Sequence, residues 1–163
     1  MGIGSHQSTN SLKDEWLTPP HVVDDLGPFD LDPCSPINRP WDTAKNHYTI
    51  EDDGLKQNWN GSVWLNPPYS HSSMWNWFYK LARHNNGIAL LFARTETSGI
   101  FDFIWDMADA LLFIKGRLYF HDVEGKRAKA NSGGPSVLVA YGDENVLRLK
   151  YSTIVGKFIK LKE

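Results

Sequence analysis

The chain has 163 residues, of which 41% are hydrophobic and 13% aromatic, with 17 Lys+Arg against 19 Asp+Glu and a single cysteine. These numbers suit one compact domain with ample core material; they exclude a largely disordered chain, an internal disulfide framework and a cysteine-based zinc site. The longest apolar runs, such as Ile88 to Ala93, fall far short of the ~20 residues of a membrane span, and no basic-then-apolar leader opens the sequence, so a cytoplasmic protein is expected.

Residues 1–11 are small and polar without periodicity and read as a flexible tail; residues 12–163 read as a single domain. Thr18 is placed to cap, and Pro19 or Pro20 to occupy, the first turn of a short helix through Val22, Val23 and Leu26. Gly27-Pro28 ends that helix, and Phe29-Asp30-Leu31-Asp32 reads as a short strand running into a turn at Pro33. Residues 34–60, rich in Pro, Asn, Asp and Trp, form a long irregular stretch that is either functional or conceals an element.

From there the pattern sharpens. Ser62 to Leu65 is a short buried strand that stops at Asn66-Pro67-Pro68-Tyr69. Ser72 or Ser73 caps a helix whose Met74, Trp77, Phe78 and Leu81 fall at i, i+3, i+4 and i+7. Ile88 to Ala93 is a continuous apolar run, the mark of a strand covered on both faces. Ser98 caps a further helix with Phe101, Ile104, Trp105 and Ala108 at the same spacing, and Ala110 to Ile114 is another buried strand. Three strands separated by two helices predict a parallel βαβαβ unit with right-handed crossovers. Leu118 to Phe120 and Ser136 to Tyr141, bridged by a polar Gly-rich loop, read as an antiparallel pair. A short helix and a last strand near Lys157 to Leu161 follow. The fold class is a three-layer α/β sandwich on a mixed, mostly parallel sheet with an antiparallel C-terminal hairpin.

Charge is unevenly distributed: residues 1–114 hold 7 basic and 14 acidic groups, residues 115–163 hold 10 and 5. The C-terminal part is suited to lie against a polyanion, or is an ordinary solvated basic face.

Asn66-Pro67-Pro68-Tyr69 directly follows a buried strand, and in parallel α/β sheets ligands bind beyond the carboxyl ends of strands. Two successive prolines fix the backbone and remove two N–H donors, leaving carbonyls as acceptors. The Asn side chain adds another acceptor and the Tyr ring a stacking surface. Such a group suits a planar substrate that carries an amino group. The bland reading is a rigid turn between strand and helix.

Asn-Pro-Pro-Tyr resembles the signature of S-adenosylmethionine-dependent enzymes that methylate exocyclic amino groups. Its neighbours narrow the resemblance. Trp16-x-Thr18-Pro19, Phe29-Asp-Leu-Asp-Pro33, Asp53-Gly-Leu55, Val63 to Ser70, Lys115-Gly-Arg-Leu-x-Phe120 and Pro135-Ser136 heading Val137 to Tyr141 look like the phage-type, Dam-like DNA N6-adenine methyltransferases, over residues 16 to about 142. The resemblance implies a Rossmann-like methyltransferase fold, S-adenosyl-L-methionine as cofactor, DNA as partner, and a phage-encoded enzyme at work in a bacterial cytoplasm. It implies that Asn66, Pro67, Pro68 and Tyr69 form the catalytic corner. The Asn66 side-chain oxygen and the Pro67 carbonyl would each accept one N6–H bond of adenine, so that the lone pair points at the methyl group. Tyr69 would stack on the extruded base.

For the cofactor, the resemblance points to Trp16, Thr18 and Pro19 closing over its methionine end, to Asp32 and Pro33, to Asp53 near its adenine, and to Asn66. Asp32 would accept from ribose hydroxyls or pair with the ammonium group, and outside the resemblance Asp-Pro is equally a turn; Asp53 is equally part of a solvated acidic loop. The chain departs from most methyltransferases in lacking a Gly-rich turn after the first strand, where Pro33-Cys34-Ser35-Pro36 stands instead. Either a first strand has been lost by truncation, or Asp32 belongs to the second, ribose-binding strand.

DNA contacts are expected from Ser70, from Arg94 and Arg117, and from Lys126, Arg127 and Lys129 in the flexible loop 121–134, which otherwise serves as a plain hairpin loop. The six His lack metal-ligand spacing, so no metal is expected; Ser70-His71 is no nucleophile pair without a Gly-x-Ser-x-Gly elbow. Cys34 reads as a simple thiol, and Trp75, Trp77 and Phe78 as core packing rather than a stacking platform. The expected activity is N6-adenine methylation of DNA. The alternatives are cytosine-N4 methylation, RNA or protein-glutamine methylation, and a non-catalytic nucleic-acid or cofactor-binding module of the same fold.

Overall fold

The computed structural model describes residues 15–69 and 73–163. The expected tail, Ser70, His71 and the capping role of Ser72 lie outside the described residues.

Helix α1 spans Pro20–Leu26, with Pro20 in its first turn and Pro19 at the N-cap. Proline suits that position because the first turn has no use for its missing N–H. The expected Thr18 cap is not made, because the Thr18 hydroxyl is engaged by Asn66 instead. Strand β1 is Leu31–Asp32, and the irregular stretch conceals β2, Asn46–His47. Strand β3, Val63–Leu65, leads through the Asn-Pro-Pro-Tyr corner to helix α2, Met74–His84, which buries Trp77, Phe78 and Leu81 as their spacing predicts. Ser73 stands at its N-cap without a side-chain hydrogen bond.

After β4, Gly87–Phe92, the predicted helix departs from its expected period. Only α3, Ser98–Ile100, is α-helical, and Phe101–Trp105 is a π-helical turn. The wider i→i+5 winding puts Ile100, Ile104 and Ala108 into the core and leaves Phe101 54% exposed. Ser98 is the first helical residue rather than the cap. Strands β5, Ala110–Ile114, and β6, Ser136–Tyr141, then helix α4, Asp143–Lys150, and strand β7, Gly156–Lys160, complete the chain.

Among the described residues the strands form a seven-stranded sheet in the order β2-β1-β3-β4-β6-β5-β7. Pairings from β2 to β4 are parallel, while β6 runs antiparallel to both neighbours and β7 antiparallel to β5. Strands β1 to β5 therefore point the same way, and β6 is inserted between β4 and β5. This corrects the expected hairpin: the partners of β6 are β4 and β5, not Leu118 to Phe120. Those residues are apolar because Leu118 and Phe120 pack on the sheet face, and their backbones bond locally to Ser132 and Ala128.

Helix α2, α3 and the π-turn cover one face of the sheet, and α1 and α4 the other, giving the Rossmann-like three-layer arrangement. The alternation is visible along the strands: Val63 and Leu65 face α2 while Trp64 faces α1. Asp32 ends β1, the first strand among the described residues, which lies between β2 and β3 and so directly beside the strand that carries Asn66. Among the described residues no helix is long and apolar enough to cross a membrane.

Candidate active site

Because β1 and β3 are adjacent and parallel, Asp32 and Asn66 leave the same edge of the sheet. A cleft of about 510 Å³ opens there, within the roughly 300–1,000 Å³ typical of small-molecule sites. It is lined by Trp16, Thr18, Asp32, Asp53, Asn66, Pro67, Pro68 and Tyr69 among the expected residues. Pro19 and Pro33 are not in the lining: Pro19 caps α1, and the Pro33 carbonyl backs onto Gly54, where a Cβ would lie 1.9 Å from its oxygen.

The Asn66 amide is held from both ends. Its nitrogen donates to the Trp16 carbonyl and to the Thr18 hydroxyl, each at 3.2 Å, and its oxygen lies 2.7 Å from the Tyr69 hydroxyl. A backbone carbonyl only accepts, so the Trp16 contact fixes which end of the amide is nitrogen. The oxygen keeps a lone pair free beyond its contact with Tyr69. The Tyr69 hydroxyl also reaches the Leu90 carbonyl at 2.6 Å, and its ring tilts against Phe92 at 5.3 Å. Burial pushes the Tyr69 phenol well above its usual range, so the hydroxyl keeps its single proton and shares it between two acceptors.

The strap carrying Trp16 and Thr18 is itself tied down. Leu17 and His121 exchange two backbone hydrogen bonds, of 2.8 and 2.9 Å, so the loop after β5 crosses the edge of the sheet to brace the segment before α1.

Asp32 is buried, and burial raises its carboxyl to about 6, against the opposing pull of the Thr43 hydroxyl, the Cys34 N–H and the Arg39 charge. Thr43 donates to one oxygen and Cys34 N–H to the other at 3.2 Å. Among the described residues no cation makes an ion pair with it. It is a desolvated carboxylate facing a cleft with acceptor capacity to spare. Burial and the Asp32 charge push the neighbouring Cys34 thiol up, and the thiol donates to the Asn66 carbonyl at 3.4 Å.

The far wall comes from residues that sequence reasoning missed. Trp77, read there as core alone, also lines the cleft, as do Thr43, Thr49 and Ile50 from the irregular stretch. Asp53 lines it too, but its carboxylate pairs with Lys56 at 2.7 Å. The Gly54 carbonyl is held by Trp59 Nε1 at 2.9 Å, and Lys80 Nζ donates to the Leu55 carbonyl at 2.7 Å. Only the quoted Asp53-Gly-Leu55 signalled this wall; a lysine on a predicted helix carries no such signal.

None of the expected DNA cations lines the cleft. Arg94, Arg117, Lys126, Arg127 and Lys129 are exposed in loops. Within loop 121–134 the Asp122 carboxylate accepts from the N–H groups of Glu124 and Lys126, Gly125 packs on Pro40 and Trp41, and the Arg127 guanidinium sits 3.9 Å over the Tyr119 ring.

A model of the family described as DNA N-6-adenine-methyltransferase (Dam) matches residues 5–155. The DNA N-6-adenine-methyltransferase of Escherichia phage T1 is 30% identical over 147 residues, covering 76% of this chain and 60% of the relative. The chain thus matches about 60% of the length of that curated relative. No solved structure matches. With the matched region spanning the strap, the Asp32 strand, the Asn-Pro-Pro-Tyr corner and the sheet to β6, the chain belongs to the DNA N-6-adenine-methyltransferase (Dam) family.

Proposed function

We propose that this chain transfers a methyl group from S-adenosyl-L-methionine to the exocyclic N6 of adenine in DNA, as a phage-encoded enzyme in a bacterial cytoplasm. The observation that carries the reading is the Asn66 amide in the cleft wall, whose nitrogen is occupied by Trp16 and Thr18 and whose oxygen keeps a lone pair beyond its contact with Tyr69. The cleft fits the cofactor chemically: an unpaired buried carboxylate, Asp32, suits a ribose or an ammonium group, and the indole of Trp77 and the side chain of Ile50 suit an apolar ring. Bound there, the cofactor supplies an electrophilic methyl on a sulfonium.

The N6 lone pair of adenine is delocalised into the ring and is a poor nucleophile. With Asn66 Oδ1 and the Pro67 carbonyl each accepting one N6–H bond, the nitrogen would move toward tetrahedral geometry and its lone pair would be freed for the methyl group that a bound cofactor would supply. The same acceptors would favour the positive charge that grows on nitrogen as the N–C bond forms and the sulfonium S–CH3 bond breaks, its electron pair staying on a neutral thioether that leaves. The alkylated amine then gives up one proton to solvent, so no strong base is needed. A base in the duplex reaches this corner only when extruded, and the Tyr69 ring offers a face to stack on, offsetting part of the few kcal/mol that extrusion costs.

The test is incubation with S-adenosylmethionine and unmethylated duplex DNA, followed by mass spectrometry of the nucleosides. N6-methyladenine is expected, and Asn66→Ala should lower its rate by about 10²–10³, as for loss of one well-placed charge-stabilising group. Methylcytosine in its place moves the substrate, and DNA binding without any methylated nucleoside overturns the activity.

A further inference from the structure

The carboxyl ends of β1, β3, β4 and β5 share one edge of the sheet, and the charges along that edge are asymmetric. On the β2 side of Asn66 the turn after Thr49 carries Glu51, Asp52 and Asp53, of which Asp53 is paired with Lys56. On the β7 side the strand ends carry Arg94, Lys115, Arg117 and Lys157, all exposed, against Glu96 and Asp25, whose carboxylate accepts from the Thr153 N–H at 3.0 Å in the turn before β7. The 122–127 turn, with Asp122 and Glu124 balanced by Lys126 and Arg127, lies apart from this row, since Gly125 packs on Pro40 and Trp41.

Lys115 and Lys157 have no role in the site described so far, and the strand register brings them together. Phe113 lies opposite Lys157 and Ile114 opposite Gly156, and the Lys115 N–H bonds to the Val155 carbonyl at 2.8 Å. The two lysines are therefore diagonal neighbours on one face, roughly 7–8 Å apart at the backbone, and neither makes an ion pair among the described residues. From β3 to β7 the sheet takes four strand spacings, about 19 Å at roughly 4.8 Å each. At about 3.4 Å of axial rise per nucleotide, that is about five to six nucleotides.

We infer that DNA lies across the β4-to-β7 half of this edge, with Lys115 and Lys157 holding backbone phosphates about four to six nucleotides from the base presented to Asn66. The acidic turn on the other side repels the backbone and so sets the direction in which the strand leaves the cleft. The inference rests on the DNA reading above. It extends that reading from the target base to the flanking duplex.

Lys160 provides an internal control. It carries the same charge on the same strand but sits opposite Ala110, at the far edge of the sheet. Binding to a 24-base-pair duplex is measured by fluorescence anisotropy across a salt series, for the wild type, Lys115→Gln/Lys157→Gln and Lys160→Gln, with thermal unfolding to confirm that each is folded. Each phosphate contact contributes about −0.9 to the slope of log K against log[salt]. The double variant is therefore expected to be shallower by about 1.8 and to bind roughly tenfold more weakly at moderate salt, with Lys160→Gln unchanged. An unchanged slope in the folded double variant, an equal loss in Lys160→Gln, or no DNA binding by the wild type overturns the track. Failure of the methylation reading is seen separately, as wild-type DNA binding with no methylated adenine; the salt slopes still decide the track in that case.

Discussion

Replacing Asp32 by Asn tests the cofactor side of the cleft most directly, because the two roles of this carboxylate push in opposite directions. Burial raises its folded-state pKa from 3.8 to about 6. The folded protein thus holds this proton more tightly than the unfolded chain. The stabilisation from that proton is fully present below about pH 3.8 and is lost as pH rises through about 6. At about 1.4 kcal/mol per pH unit, the ionised carboxylate costs the unliganded protein about 3 kcal/mol at pH 7. An amide of the same shape escapes this cost. Its oxygen accepts from the Cys34 N–H, and its nitrogen donates to the Thr43 hydroxyl, which is able to reverse its role.

Asp32→Asn is therefore expected to match the wild type in stability at pH 4 and to exceed it by about 1–3 kcal/mol at pH 8, read by urea unfolding across that range. S-adenosylmethionine binding, measured by calorimetry, should move the other way. If the carboxylate accepts from ribose hydroxyls, losing a charge-assisted hydrogen bond of about 1.5–3 kcal/mol weakens binding by roughly 10–150-fold. If it pairs with the ammonium, about 3–5 kcal/mol is lost and the decrease exceeds 150-fold. Wild-type affinity should also fall as pH drops below about 6, approaching tenfold per unit, because the cofactor must then displace a proton. A stability difference that does not change with pH, or a variant that binds the cofactor as tightly as the wild type, refutes the reasoning.

Gly54→Ala forces a Cβ to within 1.9 Å of the Pro33 carbonyl oxygen and 3.3 Å of the Trp77 ring, so the cleft wall must move. Overpacking of about 1–3 kcal/mol should lower the melting temperature by roughly 2–4 °C per kcal/mol and weaken cofactor binding; calorimetry that finds both unchanged counts against the wall. Tyr69→Phe keeps the ring and removes the hydroxyl shared between Asn66 and Leu90. It should cost about 1 kcal/mol of stability and only a few-fold in single-turnover methylation, whereas Tyr69→Ala should lose far more; equal rates for the two variants would remove the stacking role.

The parts of the fold legible in the sequence are those whose packing is uniform. Strands β4 and β6 read as strands because both their faces are buried, so almost every residue from Ile88 to Leu91 and from Val137 to Tyr141 is apolar. Helix α2 reads as a helix because one stripe meets the sheet. Strand β2 was illegible: Asn46 and His47 are polar and at least partly exposed, and pairing with β1 alone makes them a strand. The partners of β6 were illegible for a different reason. Leu118 and Phe120 bear the same apolar mark as an edge strand because they pad the α1 face, and composition does not distinguish the two uses. In the site, the proline corner was visible because Pro-Pro constrains its own backbone locally. Thr43, Trp77 and Lys80 act only after the chain has returned from elsewhere, and no local pattern carries that information.

The same contrast explains how the corner is built. An asparagine amide is nearly symmetric in shape, so a rigid turn alone leaves its oxygen and nitrogen free to exchange places. Inverted, the nitrogen would point at an incoming amino group, donor against donor, and the amide would repel the substrate it is proposed to hold. The prolines fix where Asn66 stands but cannot fix which way it faces. That choice is made 50 residues away in the chain, by the Trp16 carbonyl, an acceptor that tolerates only nitrogen. The strap bearing that carbonyl is in turn held by the two backbone bonds between Leu17 and His121. Position is thus encoded locally and polarity by tertiary contact, so a variant that loosens the strap should impair the corner without touching any of its four residues.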